Sequence, residues 1–180
     1  MKNEEIIENY RNIIGSDSIK SRNLIKKLEF QEDGYLLQCI AQTYLDECRF
    51  EIDGSMRLYI DKRKWRMAER YIIKAFILDP NNAEVLYTMG NVRRTIGQND
   101  IAIYCYEKII KLGAKKISLN KYSRGIDFAR ELINDSKFEL YRLYYKENKV
   151  LSGKYLVQYK RGIKKGITTI YNPLTRFLLN

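Results

Sequence analysis

Histidine is absent from the 180 residues. Without an imidazole there is no His general acid or base, no Ser-His-Asp or Cys-His nucleophile system, and no His-containing zinc site. Proline is nearly missing, with two residues, and glycine is limited to ten. So few chain breakers, with hardly any β-runs bounded by turn residues, point to helices. Cysteine is scarce and odd in number. Cys39, Cys48 and Cys105 have no Cys-x-x-Cys spacing, so the expectation is reduced, partly buried thiols in a cytoplasmic protein. No apolar run approaches the ~18 residues needed to span a bilayer, so no transmembrane segment is expected. The first ten residues place acids where an export signal needs a basic and then an apolar region. No phosphate-cradling Gly-x-x-x-x-Gly-Lys-Ser/Thr occurs. Carboxylates are plentiful, yet no pair, not even Glu47 and Asp53, is set apart from ordinary surface charge. The expectation is a protein that is not an enzyme and uses no cofactor or metal.

What is present begins with a core. A 45% hydrophobic content excludes a disordered chain, and the length is that of one ordinary domain. Residues 3–14 place Ile6, Ile7, Tyr10, Ile13 and Ile14 on one helical face, and 18–31 repeat the pattern with Ile19, Leu24, Ile25 and Leu28. These predict an N-terminal helical hairpin over 1–33.

The middle of the chain repeats itself. Ala68 and Ala102, Ile72 and Tyr106, and Ala75 and Ile109 are each 34 residues apart. A period of about 34 with helical spacing inside it is the pattern of a helix–turn–helix solenoid. Leu37, Ile40 and Ala41 stand 49 residues before Leu86, Met89 and Gly90, one period plus fifteen. The first repeat, 34–82, is therefore expected to carry an insertion over about 46–61. There Phe50, Ile52, Met56, Leu58 and Ile60 fall on alternate positions, which fits a short hairpin or extended segment, or a loop covering the edge of the repeat. The second repeat runs uninterrupted over 83–114. Gly90 and Ala102 mark a close approach of its two helices, where a larger side chain would overpack the contact.

Leu37-x-x-Ile40-Ala41-x-x-Tyr44 resembles the first helix of a tetratricopeptide repeat, and Ala68-x-x-x-Ile72 followed by Pro80 resembles its second. Leu86-x-x-Met89-Gly90 and Ala102-x-x-x-Tyr106 resemble the next copy. Arg93 and Ala114 depart from the pattern, which has Tyr and Pro at those places. The resemblance implies an all-α, right-handed solenoid of helical hairpins with capping helices at both ends. Residues 115–166 then form a degenerate third repeat or cap, with a loop over 115–120, inward Ile126, Ala129, Leu132, Ile133, Leu140, Leu143 and Tyr144, and a last helix over 150–165. In the tail, 167–180, Asn172-Pro173 opens a short helix ending in Phe177, Leu178 and Leu179.

The resemblance also implies a function, since first helices line the concave groove in this family and face bound peptides. The matching positions are Tyr35, Gln38 and Gln42 in the first repeat and Glu84, Tyr87, Asn91 and Arg94 in the second. Asn91 coincides with an Asn that helps clamp a peptide carboxylate in some members, although its companion Lys is Gln38 or Tyr87 here. Tyr87 beside Asn91 and Arg94 reads as an aromatic anchor with polar donors. The leading expectation is an adaptor or chaperone-like scaffold for a protein or peptide segment.

The charge offers an alternative. From Lys115 onward there are fifteen basic and five acidic residues, a net of +10 out of +11 for the whole chain. Lys154, Lys160, Arg161, Lys164 and Lys165, with tyrosines interleaved, form a basic patch suited to nucleic acid or another acidic partner. The groove, the insertion and the basic end all stand as candidate surfaces, and homo-oligomerisation stays open.

Overall fold

The computed structural model describes residues 3–52, 55–58 and 61–169, with side chains described outside 49–60. Eight helices appear among them: α1 (Asn3–Ile13), α2 (Ser18–Ile25), α3 (Gly34–Asp46), α4 (Lys62–Leu78), α5 (Ala83–Thr95), α6 (Asn99–Ser118), α7 (Gly125–Tyr144) and α8 (Lys149–Lys164). A two-stranded antiparallel hairpin, β1 (Arg49–Ile52) and β2 (Ser55–Leu58), lies between α3 and α4, with Arg49 opposite Leu58 and Ile52 opposite Ser55. It occupies the stretch where the apolar residues alternate. Among the described residues, the protein is thus helical apart from this ribbon and the connecting turns. The tail-helix expectation and Asp53 fall outside the described residues.

Short polar side chains start most helices. Asp17 accepts from Lys20 N at 2.8 Å, Asp33 from Leu36 N at 3.1 Å, and Asn148 from Leu151 N at 3.0 Å. Asp61 accepts from Arg63 N and Lys64 N, and Asn82 from Glu84 N and Val85 N. Each satisfies donors that the first turn cannot pair internally. The hydrogen bond from Lys64 N is the main reason the Asp61 carboxyl lies below its usual range.

Contacts divide the chain into two compact units, Met1–Pro80 and Asn81–Asn180. In the first, α1 packs on α2, α2 on α3, and α3 on α4. Ile6, Ile7, Ile25, Leu37, Ile40, Ala68 and Ile72 form its core, and the Tyr10 hydroxyl donates to Cys39 O at 3.2 Å. Gly34 is needed where α3 meets the end of α4. A Cβ there would sit 2.7 Å from Asp79 Cβ and 3.0 Å from Ala75 O.

In the second unit, α5 packs on α6, α6 on α7, and α7 on α8, and α5 also touches α7. Val85, Leu86, Ala102, Tyr106, Ile109, Leu132 and Leu140 are fully buried. Gly90 meets the ring of Tyr106, with a Cβ landing 2.8 Å from it. The small residue is therefore dictated by an aromatic ring one helix away. Residues 115–118, expected as loop, continue α6 beyond a kink at Gly113, whose φ of 75° and ψ of 155° break the helix locally. The positive φ suits a residue without Cβ. The kink lets Ile117 turn inward and become buried. Helix α7 is single and continuous, and Ile126, expected inward, is 38% exposed at its first turn.

None of the three cysteines is in a disulfide, and all are buried. Burial pushes the Cys105 thiol up to about 12. Only the thiolate reacts readily, so the native chain should resist an aromatic disulfide reagent at pH 8 and titrate three thiols once denatured. Rapid labelling of Cys105 in the native protein would contradict this packing.

Candidate binding surfaces

The residues matched to the repeat groove do not form an open face. Tyr35, Gln38 and Tyr87 are buried, at 3%, 6% and 2% exposure, so the expectation of Tyr87 as an exposed anchor is corrected. The Tyr35 hydroxyl accepts from Arg11 Nη2 at 3.2 Å, tying α3 to α1. Gln42, half-buried, donates to Asp46 along its own helix. Glu84 is half-buried at the start of α5.

Tyr87, Asn91 and Arg94 do come together, around an internal partner. The Tyr87 and Tyr106 rings meet edge to face, 5.6 Å between centroids. The Tyr106 hydroxyl donates to Asn91 Oδ1 at 2.9 Å and is hydrogen-bonded by Arg94. Arg94 Nε also contacts Glu139 Oε2 at 3.2 Å, and Arg142 Nη1 approaches Glu139 Oε1 at 3.3 Å. Glu139 is buried on α7, so one carboxylate joins α5 to α7. Sequence reasoning missed Tyr106 as the hub and Glu139 altogether. Their signal was only a Tyr at a core position and an acid within an apolar stripe.

A second carboxylate does the same work in the first unit. Glu47 pairs with Arg22, and its Oε2 lies 2.9 Å from Lys64 Nζ. Arg22 Nε donates to Thr43 Oγ1 at 3.0 Å, and its guanidinium covers the Tyr44 ring at 3.7 Å. Tyr44 in turn stacks on Tyr71. Glu47 therefore secures α2, α3 and α4 at the base of the β1–β2 ribbon.

The basic patch is open. Lys154, Lys160, Arg161, Lys164 and Lys165 are all exposed, and none has a side-chain hydrogen-bond or ion-pair partner among the described residues. Helix α8 packs on α7 through Ser152, Tyr159 and Gly162. Gly162 lies directly against the Asn134 amide, which donates to Tyr159 O at 3.3 Å. That buried seam turns the opposite stripe outward: Val150, Lys154, Val157, Arg161 and Lys164, spaced four, three, four and three residues apart. Val150 is 83% exposed and Val157 56%.

The interleaved tyrosines are largely committed elsewhere. Tyr159 is buried against Phe138, with ring centroids 5.0 Å apart. Tyr144 and Tyr155 stack nearly parallel, at 5.9 Å and 4°, and both hydroxyls donate to Glu107 Oε1. Burial first, and then Glu107, push the Tyr155 phenol up to about 12, so it remains a donor at neutral pH. Tyr145 is the exposed one, edge-on to Tyr141.

Among the described residues, no helix is long and apolar enough to cross a membrane. Among the described residues, the helices and their packing define a mainly helical protein whose last described helix is cationic. Compared with family models, with curated proteins and with solved structures, the chain matches none.

Proposed function

We propose that the chain is a non-enzymatic helical-hairpin scaffold of the tetratricopeptide kind, and that its outer α8 face binds an acidic, amphipathic protein segment. The solenoid reading rests on the 34-residue spacing, on sequential helix packing within each unit, and on the Gly90–Tyr106 contact between paired helices. The binding reading rests on one observation: the exposed stripe of α8 alternates valines with cations that have no side-chain partner among the described residues. A helix carrying Leu and Glu on one face complements such a stripe, its apolar side chains covering Val150 and Val157 while its carboxylates meet Lys154, Arg161 and Lys164.

Single-stranded nucleic acid is the weaker partner, because base stacking needs exposed rings among the cations. Here Tyr159 is buried, and Tyr144 and Tyr155 stack on each other. The groove reading of Tyr87, Asn91 and Arg94 yields to α8 because those side chains already serve Tyr106 and Glu139.

The test is binding of the full chain to a synthetic Leu/Glu amphipathic helix, an oligonucleotide and anionic vesicles. The peptide should bind, and Lys154→Glu/Arg161→Glu should weaken it about tenfold or more, with Val157→Asp also harmful. If the oligonucleotide binds instead, with a steep salt slope and no response to Val157→Asp, the acidic-peptide reading is wrong. Binding to vesicles alone would overturn it as well.

A further inference from the structure

Along α6, the second unit holds an open cavity of about 550 Å³, lined by Asn81, Tyr104, Glu107, Lys108, Lys111, Leu112 and Lys116. We infer that this cavity is a binding site for a nucleoside polyphosphate, with Tyr104 and Lys108 at the base end and Lys111 and Lys116 holding the phosphates.

Three features carry the assignment. The cavity contains three ammonium groups against one carboxylate, and Lys111 and Lys116 are exposed with no side-chain partner among the described residues. Such a surplus is suited to a multiply charged anion. The kink at Gly113 turns the chain between Lys111 and Lys116. The two therefore reach one cavity from either side of a break rather than lying along a straight helix.

The second feature is the aromatic end. Tyr104 is half-exposed, and Lys108 Nζ sits 3.1 Å from its hydroxyl and 5.4 Å from its ring centre. Tyr104 and Lys111 are seven residues apart on α6, about 10 Å at 1.5 Å per residue. That is the kind of separation that divides a base from the distal phosphates of a nucleotide.

The third is Glu107. Its Oε1 is occupied by the Tyr144 and Tyr155 hydroxyls, which fix the carboxylate in place. The other oxygen is left to accept from a ribose hydroxyl or an exocyclic amine, the groups that distinguish a nucleotide from inorganic phosphate. The volume lies in the range of small-molecule sites.

Isothermal titration of the full chain with adenosine triphosphate, inorganic tripolyphosphate and adenosine tests this. The triphosphate should bind saturably with one site, more tightly than tripolyphosphate, and adenosine should bind weakly or not at all. Lys111→Gln/Lys116→Gln, at exposed positions that leave the core alone, should lower triphosphate affinity about tenfold or more. Tyr104→Ala should remove the preference over tripolyphosphate. Lys154→Glu/Arg161→Glu on α8 should leave the titration unchanged, which separates this site from the peptide surface. Absence of saturable binding, an unchanged affinity in the double lysine variant, or equal binding of tripolyphosphate would each overturn the assignment.

Discussion

Tyr106→Ala should destabilise the second unit by about 3–5 kcal/mol, the cost of deleting a large buried aromatic side chain. Tyr106 is fully buried. Its ring fills the space beneath Gly90, meets Tyr87 edge-on, and its hydroxyl joins Asn91 and Arg94. Removing the ring leaves a cavity that the glycine, having no side chain, cannot help to fill. The hydroxyl alone is worth less. Tyr106→Phe should cost about 1 kcal/mol, the net value of one hydrogen bond, with some addition because Asn91 loses its donor. Burial, followed by Glu139, pushes the phenol well above its usual range, so this contribution should be flat with pH through neutrality. Chemical denaturation of the full chain measures both substitutions. A loss under 1 kcal/mol for Tyr106→Ala would show that the ring is not the keystone of the α5–α6 contact.

Glu139→Ala should cost about 3 kcal/mol, toward the low end for breaking a buried ion pair from one side. Arg94 is partly buried, with 28% of its side chain exposed, and Arg142 is more open, so solvent relieves some of the penalty. Burial is the largest influence on the Arg94 guanidinium and disfavours its charge. Glu139, followed by the Tyr106 phenol, outweighs this and holds its pKa above the ordinary value. Without Glu139 the largest of the influences favouring the charge is gone, and the guanidinium is left partly buried without its carboxylate partner. Glu139→Gln keeps the shape but not the charge and should fall between wild type and Ala. Arg94→Met/Glu139→Leu should recover much of the stability, since a well-packed apolar pair often replaces a buried ion pair without loss. If the double variant is as unstable as Glu139→Ala, shape rather than charge governs the contact.

The two effects meet at residues that the repeat pattern placed in a binding groove. Tyr87, Asn91 and Arg94 share a face of α5 by helical periodicity, and in the structure they meet around Tyr106. What faced them was not legible. Tyr106 lies fifteen residues after Asn91, and Glu139 lies 45 residues after Arg94. Neither separation belongs to any local period. A polar face opposite an unseen carboxylate looks the same in sequence as a polar face opposite water.

The sequence by itself determined the helical class, the placing of most helices, and the landmarks Gly90, Ala102 and Ala68. Each of these follows from local rules: apolar spacing of three and four, Asp or Asn at helix starts, and small residues at a fixed interval. The apolar alternation over 50–60 was likewise visible before the β1–β2 ribbon. Only the tertiary structure decided which polar residues are internal and which are free. Glu47 and Glu139 became structural because cations from other helices reach them, while the α8 cations stayed open because the helix packs by its opposite side. Tertiary structure also decided that α6 bends at Gly113 instead of ending there, bringing Lys111 and Lys116 to one cavity. The reason is common to all three cases. The partner of a charge is fixed by packing between distant segments, and pattern within a segment carries no information about it.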